Sequence, residues 1–362
     1  MKKVLYGTTA LLAAGMFTAA AEAATPLKLT VGGYLNAWMG YTNLSEKDID
    51  ARVNKFALGT DGEIAFTAET KLDNGLKVGA VAEIVIGSTS ANVRQQWLDD
   101  VYAYAESKYG KVELGATDNA AKKLHNGAPD VSPLDTAKIV NWLGVIPRVA
   151  LDSTTIDFDG NAKKISYFSP KFYGIQVGAS YIPGATAARP FQVASNGAQP
   201  SGVIKDDGAF NNAYVVSGAY NGKFGGVTVG ADIAYGNRNM RFVKSQDQYS
   251  FGADVGFSGF TIGAGYTFYD SNIKGKKNDQ ALELGVAYEN GPYAISADYF
   301  VSKVGKVDGF KLGKFQKYEV SGKYKLGAGV DSFATFAYLD MNDQASVVDK
   351  VWTVVTGLAL SF

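Results

Sequence analysis

Strict alternation of apolar and small polar side chains runs through most of this chain, and it constrains the fold more than any other feature. In FTIGAGYTFY, Phe260, Ile262 and Tyr266 fall on one face of an extended strand. Thr261 and Thr267 fall on the opposite face, because successive side chains of a β-strand point to opposite sides. The stretches VTVGADIAYG and QALELGVAYE repeat this pattern. The chain is therefore predicted to be all-β.

The connections between these strands alternate in length. Eight are long polar segments, and the longest runs from Asp118 to Ala162. Seven are short turns rich in Gly, Asn or Lys, at residues 72–75, 108–111, 171–174, 221–226, 257–260, 289–292 and 326–330. Together they join about sixteen strands, with every turn at one end of the sheet and every long loop at the other. Such asymmetry is typical of membrane barrels, whose tilted strands span with about 9–11 residues each.

The amino-terminal residues are typical of an export signal. Lys2 and Lys3 precede an apolar core, and Ala21-Glu22-Ala23 fits the small-x-small rule for cleavage after Ala23. This predicts a signal peptide at 1–23 and a barrel domain at 24–362. An uncleaved membrane anchor is the alternative, and the short core argues against it. Beyond this segment no window holds the roughly 18 apolar residues of a spanning helix.

A soluble sandwich, jelly roll or propeller would also alternate along its strands. Three features favour the membrane instead: the asymmetry of turns and loops, the export signal, and aromatic rings near strand ends. The rings suited to an interfacial girdle are Tyr181, Tyr220, Tyr235, Tyr288 and Tyr299. We therefore expect an all-β fold, a transmembrane antiparallel β-barrel of about sixteen strands.

Composition excludes several classes of function. The formal net charge is zero, so the chain lacks the basic field of a nucleic-acid-binding protein. It has no cysteine, and therefore no disulfide, thiol nucleophile or thiolate metal site. His125 is the only histidine, and its neighbours Lys122 and Lys123 favour a solvated or pore-lining residue over a Ser/His/Asp triad. We expect no enzymatic activity.

Several segments resemble the Gram-negative general porins across the whole mature chain. These are the first strand KLTVGGYLNAWMGY, the run KKISYFSPKFYGIQVGASYIPG and the terminal LALSF. The resemblance implies an outer-membrane homotrimer with water-filled pores for passive diffusion, no cofactor, and a long third loop folded into the lumen. It also implies contacts with outer-membrane lipid, lipopolysaccharide and the barrel assembly machinery, and none with nucleic acid.

The connection at 118–162 lies where that family has its constriction loop. It begins TDNAAKKLH, which predicts a short helix capped by Asp118 or Asn119. The acids that the resemblance places at the constriction are Asp118, Asp130, Asp135, Asp152, Asp157 and Asp159. Asp157 and Asp159 also resemble part of a calcium loop, a weak candidate because the full acidic spacing is missing; ordinary turn chemistry is the alternative.

The resemblance also implies basic groups on the wall opposite the loop. Strand parity places Glu63, Glu69 and Lys71 of the second strand and Lys77 and Glu83 of the third in the lumen. This placement also avoids the cost of a charge facing lipid at mid-depth, about 2–4 kcal/mol. The charged candidates for the pore wall are Arg52, Lys55, Glu63, Glu69, Lys71, Lys77, Glu83 and Arg94. No clear row of arginines is present, and this departs from the family pattern.

The stretch VWTVVTGLALSF predicts the closing strand of the barrel. Trp352, Leu358 and Phe362 share the lipid-facing parity, whereas Val351 and Val355 make the lumen face less polar than usual. Pairing with the first strand, about residues 27–41, would close the sheet so that no edge remains. Phe362 and Trp352 are therefore assigned to closure. In the family the terminal aromatic strand also serves as an assembly signal.

Two other functions remain open from sequence. One is a substrate-selective channel for a sugar or an organic anion, which aromatic residues lining the constriction would favour. The other is a secreted β-rich binding module, which would stay monomeric and soluble without detergent.

Overall fold

Sixteen antiparallel strands close into one barrel in the computed structural model. The structure describes residues 26–44, 54–87, 98–143, 151–184, 210–240, 244–270, 272, 277–305, 313–342 and 350–362. The expected export signal lies outside these residues, as do Arg52 and Arg94. The fold class predicted from alternation and connection length is confirmed.

Each strand pairs with its neighbours in the chain. Their bounds are β1 Lys28–Thr42, β2 Phe56–Lys71, β3 Lys77–Gly87, β4 Val101–Ser107, β5 Gly110–Ala116, β6 Lys163–Phe168, β7 Ile175–Ile182, β8 Phe210–Phe224, β9 Val227–Met240, β10 Gln246–Phe257, β11 Phe260–Asp270, β12 Asp279–Asn290, β13 Tyr293–Lys303, β14 Lys314–Gly327, β15 Val330–Asn342 and β16 Lys350–Ser361. Short and long connections alternate between them as predicted, with one exception: the connection between β9 and β10, expected to be a long loop, is only residues 241–245.

The seam between β1 and β16 closes the barrel. Its register runs from Tyr34 opposite Ser361 to Thr42 opposite Thr353. Beyond it, the Gly33 amide donates to the Phe362 carbonyl at 2.9 Å, and the Phe362 amide donates back at 3.0 Å. This pairing satisfies the backbone groups that an open edge would leave bare in hydrocarbon. The predicted role of the last strand in closure is confirmed.

Two of the predicted turns require backbone conformations that favour glycine. Ser258 and Gly259 have φ of 51° and 86°, and Tyr173 and Gly174 have φ of 48° and 87°. Two successive positive φ values define the type I′ geometry, whose twist matches that of the flanking strands. Glycine adopts the second of these conformations without the steric cost of a Cβ.

Apolar side chains cover the outside of the barrel. Ile262, Ile233 and Leu358 are 63%, 57% and 45% exposed, so the face predicted to contact lipid points outward. Aromatic rings pair around this surface near both ends of the strands. The pairs include Tyr235–Tyr249, Tyr249–Phe268, Tyr299–Tyr318 and Phe336–Trp352 near the long loops, and Tyr220–Phe224, Phe260–Tyr288 and Tyr293–Tyr324 near the turns. Such belts are expected at the two interfaces of a bilayer.

The connection between β5 and β6, residues 117–162, is called L3 below. It contains the two described helices, α1 (Ala120–Leu124) and α2 (Thr136–Leu143). Among the described residues, no helix is both long enough and apolar enough to cross a bilayer. L3 folds into the barrel and lies against its inner wall, as the resemblance implied.

Candidate functional site: a loop lining the lumen

L3 enters the lumen through helix α1. Asn119 caps this helix, because its Oδ1 accepts hydrogen bonds from the amides of Ala121 and Lys122 at 2.9 and 3.2 Å. The capping residue is thus the second of the two predicted alternatives. The Ala120 amide donates to Ser180 Oγ of β7 at 2.9 Å, which fixes the helix on the wall.

Glycines on the inner wall provide the room for the next part of L3. A Cβ on Gly252 of β10 would overlap the carbonyl oxygen of Asn126, and a Cβ on Gly263 of β11 would overlap that of Gly127. Gly285 of β12 lies under Ala128 in the same way, where a Cβ would come 3.0 Å from the alanine Cβ. These glycines form a shallow track that lets the loop backbone lie directly on the sheet.

Hydrogen bonds attach L3 to the far side of the barrel. The Val131 amide donates to Ser296 Oγ of β13 at 3.1 Å, and the hydroxyls of Ser132 and Thr335 of β15 are 3.0 Å apart. The Lys138 ammonium on α2 then lies 2.9 Å from the Asp61 carboxylate of β2. L3 therefore crosses most of the circumference before it turns back.

Helix α2 docks through its apolar face. Ile139 is fully buried and Leu143 nearly so, in a cluster with Val351 and Val355 of β16 and with Trp38 of β1. This contact explains why the lumen face of β16 is less polar than a water-facing strand requires. The valines are covered by the loop and do not face the water of the pore.

The returning limb of L3 ends at a buried ion pair. The Asp159 carboxylate lies 3.2 Å from the Lys164 ammonium of β6, and both side chains are fully buried. Asn119 Nδ2 also donates to Asp159 at 2.6 Å. Burial raises the pKa of Asp159, and the lysine charge opposes this rise. Asp159 therefore anchors the limb to the wall and does not face the lumen water, contrary to its predicted place at the constriction.

Two other acids share one lysine. Lys122 on α1 lies 2.9 Å from Asp118 and 3.2 Å from Asp157. Burial alone would lower the Lys122 pKa, but the two carboxylates outweigh it and raise the value. Asp157 and Asp159, which resemble part of a calcium loop in sequence, each contact a lysine ammonium in the structure.

The remaining predicted acids on L3 differ in role. Asp130 accepts hydrogen bonds from the Ser132 amide and from Ser296 Oγ, at 2.8 and 3.0 Å. Asp135 accepts from the Lys138 amide at 2.8 Å and so caps helix α2. Both shape the loop, although their side chains are also exposed. Asp152 is exposed as well, on the returning limb.

The wall of strands β2 to β5 is acidic where it faces L3. The carboxylate oxygens of Glu63, Glu83 and Asp99 lie within 4.8 Å of one another. The other acids on this wall are Asp61, Glu69, Asp100, Glu106 and Glu113, and the described lysines are Lys71, Lys77 and Lys111. Lys55 is exposed, just before β2.

On the wall of β2 to β5, loop and wall are therefore charged in the opposite sense to the family expectation. Lys123 on α1 lies 2.5 Å from Glu113 of β5, and Lys138 on α2 pairs with Asp61. There, within the described residues, lysines on the loop face acids on the wall, whereas at the end of the returning limb Asp159 of the loop faces Lys164 of β6. The parity argument placed Glu63, Glu69, Lys71, Lys77 and Glu83 in the lumen. The ion pairs of Lys77 with Glu69 and Glu106, each 3.6 Å, agree with the placement of Lys77 and Glu69.

Sequence reasoning missed the residues that hold L3 in place. His125 was interpreted only as solvated or pore-lining, and the wall glycines only as strand residues. Their partners lie far away in sequence, so local patterns did not identify those partners. The one available hint was the small-residue lumen face of strands β9 to β12, in which glycine recurs.

Comparisons with known proteins agree with this architecture. A family model described as Gram-negative porin matches residues 7–344. An uncharacterised protein of Rickettsia prowazekii is 28% identical over 183 residues, covering 44% of this chain and 41% of that protein. The chain thus spans less than half the length of this curated relative.

Two further proteins cover more of the chain. The major outer membrane protein of Pasteurella multocida is 25% identical over 67% of this chain and 68% of its own length. The structure of OmpT, an outer membrane protein of Vibrio cholerae solved in a trimer form, has a TM-score of 0.63, 10% identity, and coverage of 93% and 100%. The match of the family model over most of the sequence is decisive: the chain belongs to the Gram-negative porin family, and its location is the outer membrane.

Proposed function

We propose that this protein is a passive channel that admits small hydrophilic solutes and ions down their gradients, without turnover. The observation that carries the proposal is a closed sixteen-strand barrel that holds a charged loop against a charged wall. Barrels of about 16–18 strands enclose an aqueous channel, whereas eight-stranded ones are filled by side chains. The channel therefore has an aqueous lumen that L3 narrows.

The charge of the wall of β2 to β5 favours cations. Acids outnumber lysines on the wall of β2 to β5, and three of those carboxylates, of Glu63, Glu83 and Asp99, form one cluster. Rings of acidic side chains raise the local concentration of cations and repel anions. We therefore infer a preference for cations over anions and for cationic over anionic solutes.

The same arrangement weighs against a channel for organic anions or sugars. Tyr102 and Tyr104 face the lumen, but Lys123 lies over the first ring at 4.7 Å and Lys111 over the second at 4.6 Å. Rings covered by ammonium groups offer no continuous stacking track for sugars. The apolar outer surface with its aromatic belts is likewise unsuited to a secreted module that stays soluble alone.

Reconstitution into a planar bilayer under a potassium chloride gradient tests the proposal. We expect stepwise conductance and a reversal potential of the sign that marks cation preference. The double variant Glu63→Gln with Glu83→Gln should reduce that preference, because it removes two charges of the cluster. The matched control Glu289→Gln changes the same group beside a turn and should leave the preference nearly intact. A channel that prefers anions, or folded protein without conductance, would contradict the proposal.

The proposed oligomer is a homotrimer. Small residues concentrate on the outward face of β2 to β4, at Ala68, Ala80, Ala82, Ala103 and Ala105. Such a face can pack closely against a second copy, while the aromatic belts elsewhere contact lipid and lipopolysaccharide. The trimer form of the Vibrio cholerae protein supports this assembly. Conductance steps in groups of three are the expected signature.

The barrel assembly machinery is the proposed partner during insertion. A variant that lacks Phe362 tests this proposal. Deleting Phe362 removes both backbone hydrogen bonds to Gly33 and a ring that packs on that glycine. We expect a clear fall in the folded fraction in the outer membrane, measured by heat-modifiable gel mobility. The molecules that do insert should conduct normally, because Phe362 lies outside the lumen. Phe362→Tyr is the control, and normal insertion of the deletion variant would count against this role.

A further inference from the structure

The single histidine of the chain sits between L3 and two strands of the wall. His125 Nδ1 lies 3.2 Å from the Asp232 carboxylate of β9. Nε2 lies 3.1 Å from Thr154 Oγ1 on the returning limb and 3.7 Å from Glu283 Oε1 of β12. The imidazole therefore contacts both limbs of L3 and both strands at once.

The surroundings favour a protonated ring. The Asp232 side chain is fully buried and that of His125 is 14% exposed, so a neutral imidazole would leave a buried carboxylate without a compensating charge. Burial by itself lowers the pKa of His125, but hydrogen bonds and charge from Asp232 and Glu283 outweigh it and raise the value to about 9. An imidazolium donates from both nitrogens, which suits acceptors on opposite sides of the ring.

The same two carboxylates also hold the loop backbone. The Asn126 amide donates to Asp232 at 2.5 Å, and the Ala128 amide donates to Glu283 at 3.2 Å. The wall glycines Gly252 and Gly263 lie directly beneath this segment. Because they have no side chain, the loop backbone can lie against the sheet. The histidine thus stands at the point where L3 lies closest to the wall.

We propose that the His125 imidazolium is the positioning residue of L3, clasping both limbs of the loop to strands β9 and β12 and so setting the width of the pore. This inference rests on the proposed channel function for its effect on conductance. The clasp itself is a property of the folded protein and can be measured without any current.

The pH dependence follows from the charges around the ring. Asp232 on β9, Asp254 on β10 and Glu283 on β12 are the acids on this side, and Lys122 and Lys123 are on the helix that leads to His125. The folded pKa lies above the ordinary value of about 6.5, so the contribution of the clasp is complete below that pH and is lost as pH rises through about 9. Deprotonation leaves the acids facing one another with no cation between them.

Nuclear magnetic resonance can follow the proton directly. Because His125 is the only histidine, protein labelled in the imidazole ring and folded in micelles gives one titrating signal. We expect a midpoint near pH 9 and a clear fall of that midpoint in Asp232→Asn. Lys122→Gln, which removes a cation of the same helix, should not lower it. A midpoint at or below about 6.5 in the wild-type protein would overturn the proposal.

Single-channel recordings from pH 6 to pH 10 test the consequence for the pore. The wild-type current is expected to be steady at low pH and to become noisier as pH passes about 9. His125→Gln keeps a polar side chain but cannot carry the charge, and it should be noisy throughout with no such step. Identical pH profiles for the two proteins would overturn the clasp. If His125 titrates with a midpoint near pH 9 in protein that carries no current, the proposed role of His125 would hold and the proposed channel function would be rejected.

Discussion

Replacing Ile139 with aspartate is expected to release helix α2 from the wall and to raise the mean conductance and noise of the channel. Ile139 is fully buried among apolar side chains of β14 to β16. Truncating a buried isoleucine to alanine typically costs about 2–5 kcal/mol, and an unpaired carboxylate in the same place costs more. Burying this carboxylate would cost more free energy than the docking of α2 contributes, so we expect α2 to leave the wall. The rest of L3 should stay attached through its own hydrogen bonds.

Asn141→Asp is the matched control. It adds the same charge to the same helix, two positions away and on the exposed side. Its conductance should stay close to the wild-type value, with at most a small change in ion preference. Equal single-channel currents for the two variants would show that the apolar docking of α2 does not hold the loop. Heat-modifiable mobility of both proteins checks that the barrel itself has folded.

Replacing Gly357 with valine is expected to prevent closure of the barrel almost completely. Gly357 of β16 pairs with Trp38 of β1. A Cβ at this position would overlap the carbonyl oxygen of Ala37 and press on the backbone of Trp38, which are both in the opposite strand. Backbone cannot move aside as a flexible side chain can, so the seam would lose its register. Unpaired amides and carbonyls in hydrocarbon cost several kcal/mol each, so an open barrel is not an alternative state.

Gly218→Val provides the comparison for this effect. Gly218 lies in the middle of β8 on the outward face, where the nearest atom to a new Cβ is Val177 Cγ1 at 4.0 Å. A valine therefore has room there and has a high propensity for strands. The yield of folded, heat-modifiable protein should be near zero for Gly357→Val and near the wild-type yield for Gly218→Val. Equal folded yields would contradict the steric argument at the seam.

Most of the barrel could be predicted from local pattern. The parity of Phe260 and Ile262, for example, follows from their two-residue spacing and needs no distant contact. The Ser258-Gly259 turn is equally local, because its backbone geometry depends on the residues within it. The number of strands then follows from the count of turns and loops, since each connection has to join two antiparallel neighbours.

The charged site was predicted less well. Position in the sequence showed that Asp118, Asp135 and Asp159 belong to one loop, but it did not show their roles. In the structure Asp118 pairs with a lysine, Asp135 caps a helix and Asp159 forms a buried ion pair. The sequence alone does not distinguish a carboxylate that caps a helix from one that pairs with a cation or one that faces water. The choice depends on which cation or amide the fold brings near it.

The sequence by itself determined the sheet, its two faces and the ends at which turns and loops lie, because these depend on contacts between residues close in the chain. Only the tertiary structure decided where L3 rests. Its anchors join Asn126 to Asp232 and Ser132 to Thr335, pairs separated by more than a hundred residues. Val351 and Val355 show the difference most plainly. Their parity pointed to the lumen from the start, but their apolar character had no explanation until the barrel closed and α2 covered them.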